Sequence, residues 1–509
     1  MILIHPPIAK ACEPPAGIAR LVGALKTHSL PRDLVDANLE GILYLLDQPP
    51  AAFDTWTSRA HRHLPEHLGF LRSKEGYQNR DRYRRAVLDL NRVVEKSNRG
   101  GRARVSLANY SDSALSPLKS VDLIQSAERP DENPFFKYFR KRVRRLLTEM
   151  HPGVVGFSLN YLSQALCTFC MIGLVKLENP RTRVMLGGGL VTSWMRMPGW
   201  KNPFHGLVDD LVAGPGERFL LSRFNKDEPG WGYTPEYGDF PREGYFAPGF
   251  ILPYSASSGC YWHRCSFCPE KAEANPYKAL TPSGAVQEAK SLSERFRPSL
   301  IHFLDNAMSP GLLEELALRG LDAPWYGFVR FTHHLADQGL CHALKRSGCF
   351  MLKLGLESGD QEVLDHLQKG IDLETASVVL RNLKRAGIGT YVYLLFGTPA
   401  ETREGALSTL DFTVRHGECI DFLNVAVFNM PAAGAEANQL ETRPFYEGDL
   451  SLYTDFVHPS GWSRALVRQF LDKEFARHPV IAGILRRDPP LFTSNHAPFF
   501  VRGFPWAPQ

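Results

Sequence analysis

The chain has 509 residues, of which 44% are hydrophobic and 22% charged, and 59 Lys and Arg against 54 Asp and Glu leave a net charge of +5. These values exclude a collagen-like or mainly disordered chain and argue against nucleic acid as the main partner. No run approaches the roughly 20 apolar residues of a membrane span, and nine cysteines, an odd number in so long a chain, are no disulfide framework.

These features read as a cytoplasmic protein with reduced thiols, whose clustered cysteines point to a metal or to catalysis. Met1-Ile2-Leu3-Ile4 reads as a short buried strand, too short and too poor in basic residues for a signal peptide. His5-Pro6-Pro7 ends it. Pro15 opens a helix with Ile18, Leu21, Val22 and Leu25 at helical spacing, and Leu34-Val35-Asp36 is the next strand. A strand–helix–strand opening is the start of an open parallel sheet.

Residues 51–134 interrupt this pattern. Arg and Lys crowd Arg72 to Arg104, which suits either a nucleic-acid patch or the solvated face of an amphipathic helix. Tyr83, Val87, Leu90 and Val94 on one stripe, with Asp81, Asp89 and Glu95 interleaved, favour an inserted helical segment. Ser97 to Ser116 reads as a polar loop. The sheet then resumes. A helix carries Phe135, Phe139, Val143 and Leu146. Val154–Ser158 and Arg183–Leu186 are strands, the second running into Gly187-Gly188-Gly189, and 207–213 follows. A doubly wound, Rossmann-like domain over 1–225 is the expectation. Residues 226–249, rich in Pro, Gly and aromatics without period, read as a linker. From Ile251, strand candidates at 251–256, 300–305, 325–331, 351–357, 390–396 and 421–428 alternate with helices. Six such units predict a partial parallel (β/α)6 barrel over 250–440. Residues 441–509 read as a C-terminal cap. The fold class is α/β throughout.

Cys260, Cys265 and Cys268 stand in C-x4-C-x2-C spacing on the loop after the first barrel strand. That is the C-terminal mouth, where barrel active sites lie. Three soft thiolates within nine residues suit one metal centre. An iron–sulfur cluster held by three cysteines keeps one iron free for a further ligand. A zinc ion completed by His263 is the alternative.

With these residues in view, 245–440 resembles the radical S-adenosylmethionine superfamily, although the commonest spacing there is one residue shorter in the first gap. The resemblance implies a [4Fe-4S] cluster on Cys260, Cys265 and Cys268. Its fourth iron would bind S-adenosylmethionine, whose reductive cleavage gives a 5′-deoxyadenosyl radical. It further implies that Phe267, Asp305, Arg330, Glu357, Ser358 and Gly397, at or near the ends of successive strands, face S-adenosylmethionine. Against this, a Glu-Ser-Gly at a strand end is commonly a helix cap, and a lone Arg is commonly an ion-pair partner.

The order Pro6-Pro7, Pro14-Pro15, Val35-Asp36-Ala37-Asn38, Gly156-Phe157-Ser158, Gly187-Gly188-Gly189 and Gly214-Pro215-Gly216-Glu217 resembles the cobalamin-binding domain found in part of that superfamily. Ser158, Gly187, Gly188 and Gly189 are the residues it assigns to cobalamin. The D-x-H-x-x-G sequence that supplies a histidine to cobalt elsewhere is missing, and His5 has the wrong spacing. A degenerate domain that binds nothing and only packs on the barrel is the other reading. Cys167 and Cys170, three apart in a helix, read as small buried residues. His334 and His496 are candidates for the barrel mouth. Phe492, Phe499, Phe500, Phe504 and Trp506 either shape a substrate pocket or cover the barrel.

The resemblance implies a radical enzyme, with methyl transfer to an unactivated carbon if cobalamin binds. Radical cyclisation, rearrangement or sulfur insertion is the alternative within the fold, and a non-catalytic iron–sulfur or cobalamin sensor the alternative outside it. The implied partners are a small-molecule or peptide substrate and an electron donor such as flavodoxin or ferredoxin.

Overall fold

In the computed structural model, residues 1–49, 54–98, 101–226 and 232–506 are described. Residues 227–231 of the expected linker, 51–53 and 99–100 of the expected insertion, and 507–509 of the cap lie outside them. The chain divides into two compact units: Met1–Phe250 with Tyr446–Leu452, and Ile251–Phe445 with Tyr453–Gln509.

In the first unit, five short apolar strands form a parallel sheet: β1 (Ile2–His5), β2 (Asp33–Asp36), β3 (Val154–Ser158), β4 (Arg183–Gly187) and β5 (Asp210–Val212). Their order is β2-β1-β3-β4-β5. This is a doubly wound order whose direction reverses between β1 and β3, and the C-terminal strand ends there are where such sheets bind ligands. Tyr446–Leu452 joins this unit through Asp449, whose carboxylate accepts the Ser120 N–H at 2.8 Å.

The insertion is helical as its stripe predicts, with Tyr83, Val87, Leu90 and Val94 buried on helix Arg80–Ser97. Two details differ from the sequence reading. Asp89, expected on a solvated face, is buried; it accepts from Trp56 Nε1 at 2.5 Å and lies 3.1 Å from His67 Nε2. The Ser97–Ser116 stretch contains an antiparallel hairpin, Ala103–Val105 with Tyr110–Asp112. Each strand has three residues, too few for alternation to show. Cys167 and Cys170 are buried in helix Leu162–Glu178. Burial pushes the Cys167 thiol up to about 12, so both behave as small apolar residues.

The second unit carries six parallel strands: β6 (Ile251–Tyr254), β7 (Leu300–Phe303), β8 (Trp325–Val329), β9 (Cys349–Glu357), β10 (Gly389–Phe396) and β11 (Phe422–Val427). They neighbour one another in chain order, giving the open partial barrel that the six alternating segments predict. The crossover helices begin at Thr281, Ser309, Asp337, Asp372 and Thr402, whose side chains each accept an N–H of the first turn. Such caps set where each helix starts. All nine residues of β9 are buried, as a central parallel strand covered on both faces requires.

Beyond β11, Met430–Pro431, Thr442–Pro444 and Tyr453–Phe456 form an antiparallel sheet. The aromatic tail settles on the end of the barrel away from the mouth. Phe504 packs on Phe350 (5.2 Å between ring centroids), and Val501 lies against Gly389, both at strand starts. His496 is fully buried and stacks on Phe492 at 4.7 Å in this tail. The tail therefore covers the barrel instead of shaping its mouth, and His496 does not reach the mouth. No helix among the described residues is long and apolar enough to cross a membrane.

Candidate active site at the barrel mouth

The cysteine loop is closed at its base by an antiparallel pair, Ser257–Ser258 with Lys278–Ala279. Gly259 begins the loop at φ +76°, and a Cβ there would lie 2.6 Å from the Pro276 carbonyl oxygen, so only glycine fits. Cys265 is buried, Cys260 and Cys268 are half-buried, and all three are free thiols. Burial pushes the Cys268 thiol up to about 11; a bound cationic centre is what would hold it as the thiolate that soft metals require.

Among the described residues, no three His, Cys, Asp or Glu side chains gather as a single metal ion would need. A four-iron cube gives each cysteine its own iron at its own corner, and three soft thiols on one exposed-to-buried loop suit that donor set.

The strand ends bring the other expected residues to the same mouth. Asp305, just past β7, is buried and accepts from Ala256 N–H at 3.1 Å and from the Ser257 hydroxyl. It thereby ties down the base of the cysteine loop, and burial raises its carboxyl above the usual range. Arg330, just past β8, is buried; it donates to Cys265 Sγ at 3.7 Å and to the Lys369 carbonyl oxygen. A register shift in β9 between Gly355 and Glu357 puts Glu357 at φ +68°. Its carboxylate pairs with Lys369 Nζ at 2.7 Å, and the same ammonium stands 5.6 Å from the Phe267 ring centroid. Ser358 is fully buried. Its hydroxyl bonds Thr409 Oγ1 at 3.1 Å and accepts from the Asp360 N–H at 3.1 Å. That is a turn-stabilising role and not the helix cap expected as its alternative; the cap of the helix Gln361–His366 is Asp360, whose side chain accepts the Val363 N–H. Gly397 ends β10 at φ +79°, and its N–H donates to the buried Glu401 carboxylate.

Gly397 also lines a cleft of about 330 Å³, counting its solvent-open space, together with Phe428, Phe445, Phe456, Trp462 and Arg464. His334, by contrast, is paired at the surface with Glu314 at 3.5 Å. Lys369, Trp262 and Thr409 are part of this region and were not singled out in the sequence. Lys369 pairs with Glu357 twelve residues away, and Trp262 and Thr409 bond Gln368 and Gly359, 106 and 50 residues away, contacts for which sequence spacing holds no signal.

In the first unit, Ser158 at the end of β3 pairs in register with Gly187 at the end of β4. Asn160 bridges this point, donating to Ser158 Oγ at 3.0 Å and accepting the Gly189 N–H at 2.9 Å. Gly188 has φ +111°, and a Cβ there would lie 2.4 Å from the Leu159 oxygen. Its glycine is needed for backbone packing. A Cβ at Gly187 or Gly189 would meet no atom closer than 3.4 Å, so neither is a glycine for packing, and Gly189 is exposed and Gly187 half-buried at the strand end. His5 is buried, and burial lowers its imidazole below the usual range against the opposing charge of Asp36.

Residues 254–413 match the Radical SAM superfamily, and this segment is a radical SAM domain. The chain is 25% identical over 310 residues to an uncharacterized methyltransferase of Pyrococcus horikoshii, covering 53% of this chain and 66% of that protein. It is 24% identical over 315 residues to the anaerobic magnesium-protoporphyrin IX monomethyl ester cyclase of Rubrivivax gelatinosus (52% and 54%). It is 24% identical over 174 residues to the bacteriochlorophyllide d C-12(1)-methyltransferase of Chlorobaculum tepidum (33% and 38%). The chain thus spans less than two thirds of each of these relatives. The fold is shared with the radical S-adenosylmethionine methyltransferase TsrM of Kitasatospora setae. The structure of TsrM with cobalamin and a [4Fe-4S] cluster superposes with TM-score 0.51 at 15% identity, over 86% of this chain and 77% of that one. Its structure with tryptophan and a SAM analog gives 0.52 at 15%, over 88% and 79%.

Proposed function

We propose that this chain is a radical S-adenosylmethionine enzyme that transfers a methyl group with the help of cobalamin. The observation that carries the reading is the cysteine loop at the mouth of a six-stranded radical SAM barrel, in a chain whose other unit has the ligand-binding 2-1-3-4-5 sheet. Two relatives named methyltransferases support it. In such a system the cluster supplies an electron to the sulfonium of S-adenosylmethionine and cobalamin carries the methyl group.

This chain's residues would do the rest. Cys260, Cys265 and Cys268 would hold the cluster. Phe267, Glu357 and Gly397 would border S-adenosylmethionine, with Lys369 keeping Glu357 in place. Asp305 and Ser358 would fix the loop and the turn from which those groups project, and the aromatic lining of the cleft beside Gly397 would limit water there. Ser158, Gly187 and Gly189 would lie against cobalamin. The substrate class we infer is a small molecule or peptide, the electron donor a flavodoxin or ferredoxin, and the compartment the cytoplasm.

The test is anaerobic turnover of the iron- and sulfide-reconstituted chain with S-adenosylmethionine and reductant, with and without cobalamin. Cobalamin-dependent S-adenosylhomocysteine supports methyl transfer. The relative named as a cyclase favours a second reading, radical ring formation; 5′-deoxyadenosine without S-adenosylhomocysteine would select it. Tight cofactor binding with neither product would point to a sensor.

A further inference from the structure

The first gap of the cysteine run holds Trp262, and the structure shows what that residue does. Two guanidiniums approach its indole, Arg330 at 4.3 Å and Arg264 at 5.1 Å from the ring centroid. Its Nε1–H donates to the Gln368 carbonyl oxygen at 3.0 Å. The slot exists because residue 370 is glycine: at φ +62°, a Cβ there would stand 2.2 Å from the indole. The same segment takes the Ser266 N–H on Leu367 O at 3.0 Å and the Lys271 ammonium on Gln368 Oε1 at 3.3 Å. The cysteine loop is thus docked along 367–370.

Arg330 sits inside this dock, 5% exposed. One terminal nitrogen donates to the Lys369 carbonyl oxygen, the other to Cys265 Sγ at 3.7 Å, and its Cζ stands 4.3 Å from the centroid of the Trp262 ring. A guanidinium fixed by a carbonyl, a thiol and an indole is oriented on the cysteine.

We propose that Arg330 is a positioning residue for the cluster, acting from outside it as donor and fixed positive charge on the Cys265 sulfur, with Trp262 as its clamp. It is then not the S-adenosylmethionine ligand that its place after β8 suggests. This rests on the reading that the three cysteines hold a [4Fe-4S] cluster. One-electron reduction adds a negative charge to the cluster, and a nearby cation with an N–H···S bond favours the more negative state. Arg330 therefore raises the reduction potential and makes the cluster easier to reduce by a biological donor.

The test uses the full chain, reconstituted anaerobically as wild type, Arg330→Gln, Arg330→Lys, Trp262→Ala and Trp262→Phe. Iron and sulfide per chain are measured first, then the midpoint potential by dithionite titration followed by electron paramagnetic resonance, without S-adenosylmethionine. Binding of S-adenosylmethionine to the oxidised protein is measured by equilibrium dialysis. The proposal expects a more negative potential in Arg330→Gln at unchanged iron content, a smaller shift in Arg330→Lys, and a shift of the same sign in Trp262→Ala that Trp262→Phe largely restores. S-adenosylmethionine affinity should change less than threefold. Wild-type potential in Arg330→Gln together with a tenfold or greater loss of affinity would overturn it. If Arg330→Gln takes up no iron, unchanged potentials in both Arg330→Lys and Trp262→Ala would overturn it equally. A wild-type chain that takes up no cluster would instead remove the reading on which the proposal rests.

Discussion

Glu401 offers a prediction whose size can be worked from the structure. Its carboxyl is fully buried past the end of β10. One oxygen accepts from the Gly397 N–H and from Trp462 Nε1 at 3.0 Å, and the other has no hydrogen-bond partner. Burial, with a smaller push from Asp360, raises the acid from 4.5 to about 7, against the two hydrogen bonds, which lower it. Because the folded value lies above the unfolded one, the stabilisation is complete below pH 4.5 and is lost as pH rises through 7. Moving from 4.5 to about 7 is worth about 3 kcal/mol across the whole window, of which about 2–3 kcal/mol falls between pH 5 and 8. Glu401→Gln keeps the shape and an accepting oxygen but has no proton to lose. The difference between wild-type and variant urea-unfolding free energies, followed from pH 5 to 8, should change by about that amount. The wild type loses stability relative to the variant as pH rises. Parallel pH profiles would refute the argument that Glu401 is folded as a neutral acid.

Other residues give sharper yes-or-no outcomes. Cys265→Ala should abolish cluster uptake, read as iron per chain, while circular dichroism shows the fold retained. Ser358→Ala removes a hydroxyl bonded to Thr409 and to the Asp360 N–H. It should cost about 1–3 kcal/mol in unfolding free energy and leave S-adenosylmethionine affinity within about twofold, as expected of a turn residue; a large loss of affinity at unchanged stability would make it a ligand. Gly188→Ala meets the Leu159 backbone at 2.4 Å from φ +111°. It should destabilise by at least about 1–3 kcal/mol, measured by thermal unfolding in the absence of cobalamin, and a wild-type melting temperature would contradict the packing role.

The barrel was legible because its strands are buried, mostly apolar runs separated by helices with Ser, Thr or Asp at their starts, such as Thr281 and Asp372. Each local signal agrees with the global arrangement. The cysteine spacing likewise marked the loop before any fold was known. The hairpin at Ala103–Val105 and Tyr110–Asp112 left no such mark, because three-residue strands carry too little alternation. The partners of the expected ligands were illegible for a different reason. Lys369 meets Glu357 only because β9 bulges and the chain returns after the helix Gln361–His366. Arg330 was read from its place at a strand end, but its guanidinium bonds Lys369 O and Cys265 Sγ beside Trp262, whose slot depends on Gly370. The aromatic tail showed its composition in the sequence and not its address; Phe350 and Gly389 at the strand starts decide that address.

The central claim is that Cys260, Cys265 and Cys268 hold a cluster that cleaves S-adenosylmethionine. Its most direct test is quantification of 5′-deoxyadenosine and S-adenosylhomocysteine by mass spectrometry, from the anaerobically reconstituted chain and a triple-alanine control at these cysteines. Reaction mixtures would contain cobalamin, S-adenosylmethionine and a low-potential reductant. The account predicts at least one of the two products in the wild type and neither in the control. Equal product from both, or none from a wild-type sample with a spectroscopically verified [4Fe-4S] cluster, would contradict it.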